Sequence, residues 1–302
     1  MPQPLSAWIE AARPRTLPLA LSSIGMGSFL AASVHRFHWQ VCVLCCLTTI
    51  FLQILSNLAN DYGDSIHGAD SAEREGPKRA VQSGVISSNQ MLYAMLVFGF
   101  LSLVTGIWLL TTALAGATQQ TFLYFLGLGI LSIVAAVTYT AGKKPYGYAG
   151  LGDLSVIIFF GWVGVLGTFY LYTQQFDTIL LLPATSCGLF AAAVLNINNI
   201  RDIESDRKAG KKSVPVRLGR KKAVVYHWVL LAVGMLCAVA YVGLDFRNIY
   251  QFLFLISFPL LLRNGVAITQ KEKPAEIDPY LKQMALTTLL FVLSFGIGQL
   301  LS

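Results

Sequence analysis

Long runs of apolar residues alternate with short polar segments along almost the whole chain. Runs of about 20 residues are long enough to cross the hydrocarbon core of a bilayer as an α-helix. Helices are favoured because a spanning segment must satisfy its own backbone hydrogen bonds, and the short alternating strands of a barrel are absent from the sequence. We predict nine spans, at residues 17–34, 40–60, 90–112, 121–141, 154–173, 179–200, 223–243, 250–269 and 283–301.

Two polar stretches that end apolar runs resemble each other. The first, NLANDYGDSIHGAD, begins at Asn57, and the second, NINNIRDIESD, begins at Asn196. When the chain is shifted by 138 positions, Asn60 falls on Asn198 and Asp64 falls on Asp202. The shift corresponds to four spans, so we predict two parallel four-helix quasi-repeats followed by a ninth helix. All of them belong to a single domain that covers residues 1–302.

The composition supports a polytopic, all-α membrane protein. Hydrophobic residues make up 55% of the chain, and charged residues make up only 12%. Soluble domains carry about 25% charged residues. The five cysteines lie inside the apolar runs without the spacing of a metal site, so we interpret them as core residues.

Positive charges are distributed unequally between the two sides of the predicted membrane domain. Of the 22 Lys and Arg residues, 20 belong to the side of the N-terminus and of the loops that follow even-numbered spans, when Arg263 and Lys282 near span ends are counted there, and only Arg36 and Arg247 belong to the other side. The positive-inside rule places this side in the cytoplasm. We therefore predict a multi-pass protein of the inner (cytoplasmic) membrane, with the N-terminus and both polar motifs cytoplasmic and the C-terminus on the opposite side. The net charge of +7 reflects this asymmetry, and we expect no nucleic-acid partner.

Acidic and amide side chains in the two motifs are spaced four residues apart, which places them on one helix face. The sets with this spacing are Asn57 with Asp61, Asn60 with Asp64, and Asn198 with Asp202 and Asp206. Anions at a helix C-terminus are disfavoured by about 0.3–1 kcal/mol each, so the cluster needs a counter-charge. Mg²⁺, which takes one or two carboxylates together with substrate phosphates, meets this need. We predict Asp61, Asp64, Asp202 and Asp206 as metal ligands.

Cationic residues near both motifs suggest that the ligand is a diphosphate whose tail enters the bilayer. A secondary transporter with acid-lined ion sites is an alternative, but it predicts acids near the bilayer midplane rather than at helix ends. Solvated surface acids are the other alternative. The duplication of the motif favours a functional site, since acids at membrane depth are usually functional.

The two motifs resemble those of the UbiA-type intramembrane prenyltransferases. The first family motif reads NxxxDxxxD, which Asn60 and Asp64 match, whereas Gly68 occupies the third position and Asp70 follows two residues later. The second reads DxxxDxxxD, and Asn198, Asp202 and Asp206 occupy its positions. The stretches ARPRTLP, QILSNLANDYGD, KKPYGYAGLGD and NNIRDIESDRKAGK resemble more closely the 1,4-dihydroxy-2-naphthoate polyprenyltransferases of menaquinone synthesis.

This resemblance implies a UbiA-like fold and a reaction. Two Mg²⁺ ions on the aspartate motifs would bind the diphosphate of an all-trans polyprenyl diphosphate. The prenyl group would be transferred to 1,4-dihydroxy-2-naphthoate with release of diphosphate and CO₂, giving demethylmenaquinone. The alternative is a UbiA-type enzyme with another aromatic acceptor, such as 4-hydroxybenzoate or homogentisate.

The site residues expected from the motifs and the resemblance fall into two groups. Catalytic roles are expected for Asp64, Asp202, Asp153 and Lys143. Substrate-binding roles are expected for Asn57, Asn60, Asn198, Asn199, Arg79, Arg201, Tyr146, Arg13 and Arg15. In this scheme the glycine-rich segment 143–153 closes over the cleft, and Asp153 orients or deprotonates the ring hydroxyl.

Overall fold

The computed structural model describes residues 4–67 and 80–302 of the chain. Within these residues, nine helices are long and apolar enough to cross a membrane, which confirms the predicted number of spans. They are α1 (Leu5–Ser33), α2 (Trp39–Ile66), α3 (Ser88–Ala113), α4 (Gln119–Thr138), α5 (Gly152–Thr173), α6 (Thr178–Arg201), α7 (Arg220–Leu244), α8 (Ile249–Gln270) and α9 (Pro274–Leu300).

Three helices extend six or more residues beyond their predicted bounds. Helix α2 continues to Ile66, six residues past its predicted end, so that Asp64 is helical. Helix α9 begins at Pro274, nine residues earlier than predicted. Proline is well tolerated in the first turn of a helix, where its missing N–H is not needed. The apolar pattern locates the membrane-crossing part of a helix but not the polar turns beyond it.

Helix α1 also begins early, at Leu5, and it is interrupted near the polar end of the molecule. Arg13 has a left-handed backbone (φ 50°) and is followed by a single 3₁₀ turn. The amide of Asn57 on α2 donates hydrogen bonds to the carbonyl oxygen of Ala12 (2.9 Å) and to the hydroxyl of Thr16 (3.0 Å). These contacts hold the interruption in place, and they position Arg13 and Arg15 near the end of α2.

Helix α5 contains a π-helical segment, Ile157–Gly167, between two α-helical ends. Such segments are rare and often occur at functional sites. Close packing fixes one face of this segment against α6: a Cβ built on Gly161 would lie 2.7 Å from the carbonyl oxygen of Ala184. Only glycine allows the two backbones to approach this closely. The segment also packs closely against α1, since a Cβ built on Gly164 would lie 2.8 Å from the Cβ of Ser23.

The helix that carries each polar motif packs extensively against the helix that follows it. Helix α2 packs along α3, and α6 packs along α7. This recurrence is consistent with the predicted four-helix repeat. Helix α9 packs against α1, α6 and α8, and an aromatic cluster fills the space between these helices, comprising Phe190, Phe254, Phe291 and Phe295. Helix α4 lies at the periphery, and none of its residues, all of which are described, is fully buried.

Two connecting segments pack against each other at the end of the molecule that carries the motifs. The segment after α4 meets the segment after α6, where the backbone N–H of Lys212 donates to the carbonyl oxygen of Tyr148 (2.9 Å). A guanidinium nitrogen of Arg217 donates to the carbonyl oxygen of Ala149 (2.5 Å). Gly150 has φ +81°, and a Cβ there would lie 2.4 Å from the Lys212 carbonyl oxygen, so this contact requires glycine. Together the two segments cover the ends of α2 and α6.

Candidate active site

A cavity of about 460 Å³ lies between seven of the helices, α1 to α6 and α9. Its wall is polar at the end that the connecting segments cover and apolar over the rest of its length. The polar end is lined by Arg13, Arg15, Asn60, Asp64, Asn198 and Lys211. The apolar walls include Leu110 of α3, Leu126 and Ile130 of α4, and Phe159, Phe160 and Val163 of the π-helical segment. The cavity therefore suits a ligand with an anionic head and an apolar tail.

The first motif places one carboxylate and one amide on the cavity wall. Asp64 is buried, and its Oδ1 accepts a hydrogen bond from the hydroxyl of Tyr148 (2.8 Å). The Oδ1 of Asn60 accepts a hydrogen bond from the hydroxyl of Thr140 (2.9 Å). Asn57 also lines the cavity, although its amide hydrogens are used to hold the interruption of α1. The i, i+4 spacing thus predicts the face that these residues share.

Asp61 belongs to the first motif but does not line the cavity. Its side chain is buried, and its Oδ2 accepts a hydrogen bond from the backbone N–H of Ala80 (3.2 Å). Its Oδ1 is buried and has no hydrogen-bond partner among the described residues. A buried carboxylate oxygen without a partner is costly, because it has lost its water without a replacement. This oxygen therefore has a free lone pair to offer a cation.

The second motif is held by a buried arginine. The guanidinium of Arg201 binds both oxygens of Asp202, at 2.7 and 2.6 Å, and it also donates to the side-chain oxygen of Asn198 (2.9 Å). A further nitrogen of Arg201 pairs with Asp278 at the start of α9. Arg15 of α1 approaches the same acid at 3.8 Å. This network joins the ends of α1, α6 and α9, and it compensates the charge of Asp202.

Lys211 connects the two motifs. Its ammonium lies 3.3 Å from Oδ1 of Asp206 and 3.8 Å from Oδ1 of Asp64, and 5.3 Å from the centre of the Tyr148 ring. Burial raises the pKa of the Asp206 carboxyl. The carboxylates of Asp202 and Asp64 raise this pKa further, whereas the ammonium of Lys211 opposes the rise. The crowding of carboxylates around one cation is the electrostatic condition that a divalent ion would relieve.

Mg²⁺ fits this donor set as an ion that needs further ligands from outside the protein. No three acidic, histidine or cysteine side chains within residues 4–67 and 80–302 are arranged to hold one ion by themselves. Two carboxylates, Asp64 and Asp206, do face a common cation position. Mg²⁺ is commonly bound by one or two carboxylates, with phosphate and water completing its octahedron. The predicted set of four aspartates is thus divided: Asp64 and Asp206 face this position, whereas Asp202 is paired with Arg201 and Asp61 lies off the cavity wall.

Two tyrosines from the segment after α4 also line the cavity. The hydroxyl of Tyr146 donates to the carbonyl oxygen of Ala135 and lies 3.0 Å from the hydroxyl of Ser155. Burial raises the pKa of the Tyr146 phenol. Burial likewise raises the pKa of the Tyr139 phenol, and three nearby carboxylates raise it further, those of Asp153, Asp206 and Asp64. Both phenols therefore stay protonated and can act as hydrogen-bond donors.

Of the remaining predicted residues, some line the cavity and others do not. Asn199, which we predict to bind substrate, lines it. Asp153 is buried but lies off the cavity wall, where it accepts a hydrogen bond from the hydroxyl of Tyr226 on α7 (3.2 Å). Lys143 is exposed and is also off the wall. Asp70 and Arg79 lie outside the described residues.

Several residues of the site were not singled out from the sequence. Tyr139, Tyr148 and Asp278 have no spacing relative to the motifs that would identify them. The two tyrosines lie in the segment after α4 and Asp278 lies on α9, so all three are distant from both motifs in the chain. Lys211 had a weak signal: it is one of several cations after the second motif, and a cytoplasmic loop explains such cations equally well. Only the folded structure distinguishes it from its neighbours.

The chain is similar to known proteins over nearly all of its length. It is 47% identical to the 1,4-dihydroxy-2-naphthoate octaprenyltransferase of Haemophilus influenzae over 98% of this chain and 96% of that protein. It is 44% identical to the 1,4-dihydroxy-2-naphthoate octaprenyltransferase of Escherichia coli, over 97% and 96%. Its fold matches that of a UbiA homolog from Archaeoglobus fulgidus solved with GPP and Mg²⁺, with a TM-score of 0.63, 19% identity, and coverage of 98% and 100%.

A family-level comparison agrees with these individual matches. The sequence profile of the UbiA prenyltransferase family matches residues 20–289, which include both polar motifs and at least part of every helix that lines the cavity. The predicted resemblance is thereby confirmed. The chain belongs to the UbiA prenyltransferase family.

Proposed function

We propose that this protein transfers a polyprenyl group from its diphosphate to 1,4-dihydroxy-2-naphthoate. The main support for the proposal is the position of Lys211. Its ammonium lies close to an aspartate of each motif, Asp64 and Asp206, at the polar end of an otherwise apolar cavity. Two relatives named 1,4-dihydroxy-2-naphthoate octaprenyltransferase are 47% and 44% identical to this chain over nearly its whole length. The products are diphosphate, CO₂ and demethylmenaquinone in its reduced form.

Asp64 and Asp206 would hold Mg²⁺, and Asp61 and Asp202 would be further ligands of the metal. The support is the unpartnered Oδ1 of Asp61 and the pair of carboxylates that face Lys211. When bound, Mg²⁺ supplies positive charge that neutralises the diphosphate and stabilises it as a leaving group. We retain two ions, one for each motif, as part of this proposal.

The protein's own cations bind the head of the donor substrate. Lys211, Arg13 and Arg15 line the polar end of the cavity, where they can hold the non-bridging oxygens of a diphosphate. As the allylic C–O bond breaks, these charges stabilise the departing diphosphate more than the intact substrate. The apolar wall at Phe159, Phe160 and Val163 keeps water from the allylic cation until the naphthoate ring attacks it.

The acceptor enters near the segment after α4. Tyr139 and Tyr146 remain protonated phenols on the wall, so they can orient the ring hydroxyls by hydrogen bonding. Asp153 lies behind this wall and close to Tyr139, which suggests that it positions the phenol rather than contacts the acceptor. We retain a catalytic role for Lys143 only as a prediction from the resemblance, since its side chain is exposed.

The orientation in the membrane is part of the proposal. The polar end of the cavity faces the cytoplasm, because the loops on that side carry nearly all of the Lys and Arg residues. In this orientation the soluble naphthoate reaches the site directly from the cytoplasm, whereas the prenyl tail approaches from the bilayer.

A substrate panel tests the function. Purified protein would be incubated with Mg²⁺, a labelled polyprenyl diphosphate and, in separate reactions, 1,4-dihydroxy-2-naphthoate, 4-hydroxybenzoate or homogentisate. We expect labelled product and CO₂ with the naphthoate alone. Product with 4-hydroxybenzoate or homogentisate instead would identify another acceptor within the same family. The absence of transfer to all three would refute the proposed reaction.

A further inference from the structure

One carboxylate of the second motif is already neutralised by a protein side chain. Both oxygens of Asp202 accept hydrogen bonds from the guanidinium of Arg201, at 2.7 and 2.6 Å. Both side chains are buried, with 2% of Arg201 and 7% of Asp202 exposed. A metal ion on the same carboxylate would bring a second positive charge beside the guanidinium, and the two cations would repel each other. Metal binding by Asp202 is therefore favoured when Arg201 has another acid to pair with.

Asp202 lies close to the position where Asp206 and Asp64 face a cation. It precedes Asp206 by one helical turn, since the backbone N–H of Asp206 donates to the carbonyl oxygen of Asp202 (2.8 Å). Side chains at this spacing have their Cβ atoms about 5–6 Å apart. Burial raises the pKa of the Asp206 carboxyl, and the negative charge of Asp202 raises it further, which agrees with this proximity. Asp202 can thus serve either Arg201 or a cation beside Asp206.

The guanidinium of Arg201 has a second acid on a different edge. Asp278, near the start of α9, pairs with Nη1 of Arg201. Asp202 is bound by Nε and Nη2 of the same group. The two acids therefore use different N–H groups and do not compete for one donor. If the contact with Asp202 loosens, Arg201 keeps a charged partner, which matters because a buried charge without a partner is strongly destabilising.

Asp278 also lies between two cations. Its Oδ1 pairs with Arg201 of α6, and its Oδ2 lies 3.8 Å from a guanidinium nitrogen of Arg15 of α1. The negative charge of the shared carboxylate screens the two guanidinium groups from each other. Loss of this charge would bind Arg201 more tightly to Asp202, the carboxylate that remains to it among the described residues. Asp278 is thus placed to weaken the hold of Arg201 on Asp202.

We propose that Asp278 is a positioning residue for metal binding, which keeps Arg201 paired while Asp202 changes its partner from the guanidinium to the metal. Arg201 is then the counter-charge of Asp202 in the metal-free protein, and it relies on Asp278 when the metal is bound. The inference rests on the proposed function, because the metal and the diphosphate are those of that reaction. It adds a residue outside both motifs that raises the metal affinity through Arg201, without touching the metal.

The test measures metal-dependent binding rather than turnover. Detergent-solubilised full-length protein is mixed with labelled geranyl diphosphate in the absence of an acceptor, and the Mg²⁺ concentration that gives half-maximal binding is determined. Asp278→Asn removes the charge with little change of shape, and Asp278→Glu keeps the charge. Glu276→Gln is the matched control, because Glu276 lies on the same helix, is exposed and loses the same charge. Thermal unfolding without Mg²⁺ reports whether each variant is folded.

We expect Asp278→Asn to raise the half-saturating Mg²⁺ concentration about tenfold or more, as is typical of residues that support metal ligands. Asp278→Glu should restore most of this loss, and Glu276→Gln should stay within about twofold of the wild type. At saturating Mg²⁺, Asp278→Asn should bind nearly as much donor as the wild type. A lower unfolding temperature with an unchanged Mg²⁺ dependence, or an equal shift in Glu276→Gln, would overturn the inference.

A second comparison removes Arg201. In Arg201→Met no guanidinium holds Asp202, so the addition of Asp278→Asn should not raise the half-saturating Mg²⁺ concentration further. A further rise would show that Asp278 acts without Arg201, contrary to the inference. If Arg201→Met does not fold, the variants of Asp278 and Glu276 decide the question by themselves. If the wild type binds geranyl diphosphate equally well without Mg²⁺, the metal site of the proposed function is refuted instead.

Discussion

The ammonium of Lys211 lies 3.8 Å from Oδ1 of Asp64, although the two residues are 147 positions apart in the chain. The same ammonium lies 3.3 Å from Asp206 of the second motif. One lysine thus occupies the point where the two acidic motifs converge. A site that binds a diphosphate and a divalent cation needs both signs of charge within a few ångströms, and this relationship provides them.

Replacing Lys211 should weaken binding of the donor substrate. The variant Lys211→Met removes one charge-assisted interaction with the diphosphate, which is typically worth about 1.5–3 kcal/mol. We therefore expect kcat/KM for the prenyl diphosphate to fall roughly tenfold to a hundredfold. Steady-state kinetics with the naphthoate at saturation measures this change.

Lys212→Met is the matched control. Lys212 is adjacent in the sequence, but its side chain is exposed and off the cavity wall. Its contact with Tyr148 uses the backbone N–H, which the substitution preserves. Activity of the control should stay within about twofold of the wild type. Equal losses in both variants would show that a general loss of positive charge, and not the position of Lys211, accounts for the effect.

Removal of divalent metal should abolish transfer. The carboxylates of Asp64 and Asp206 carry more negative charge than the single ammonium of Lys211 neutralises, so they repel a diphosphate unless a divalent cation is also bound. EDTA should therefore stop product formation, and added Mg²⁺ or Mn²⁺ should restore it. Asp64→Asn should remain inactive after Mg²⁺ is added back. Turnover that continues unchanged in EDTA would exclude a metal-bridged site.

Loss of Arg201 should destabilise the protein. The side chain of Arg201 is only 2% exposed and binds Asp202, which is itself buried, so Arg201→Met leaves a carboxylate without its counter-charge. Breaking such a buried pair typically costs about 3–5 kcal/mol. We expect a clear fall in the thermal unfolding temperature of the detergent-solubilised protein.

Arg207 provides the comparison for this variant. It pairs with Glu204 at 2.9 Å, but both side chains are more than half exposed, at 53% and 75%. Exposed pairs contribute about 0–1 kcal/mol, so Arg207→Met should unfold at nearly the wild-type temperature. A similar fall in both variants would mean that burial of the Arg201 network does not determine its contribution.

The charge asymmetry predicts where the chain ends lie. A reporter that is fluorescent only in the cytoplasm should give a signal when fused after Lys208, and it should stay dark when fused after Ser302. Three of the described helices, α7 to α9, lie between Lys208 and Ser302, and an odd number of crossings places the two positions on opposite sides of the membrane. A bright signal from the fusion after Ser302 would contradict the predicted orientation.

The membrane-spanning helices could be predicted from the sequence because burial in a bilayer is a local property of each segment. About 20 apolar residues in a row have few alternatives to a spanning helix, wherever the rest of the chain lies. The shared face of Asn60 and Asp64 on α2 likewise follows from the helical repeat alone. The family resemblance depends on these same local motifs.

The polar extensions of the helices could not be predicted in this way. Helix α9 continues back to Pro274 through Asp278, where the acid finds its partners in Arg201 of α6 and Arg15 of α1. A hydropathy profile counts such residues as polar, so it ends the predicted span before it reaches them. Their pairing depends on helices that are distant in sequence.

The sequence by itself therefore determined the nine spans, the two motifs and the family, since each depends on residues close together in the chain. The tertiary structure alone decided that the ammonium of Lys211 rather than that of Lys212 lies near Asp64, and that Asp153 accepts a hydrogen bond from Tyr226. Contacts of this kind form between segments tens to hundreds of residues apart. Their geometry is set by how helices pack, and a repeat within one helix carries no information about it.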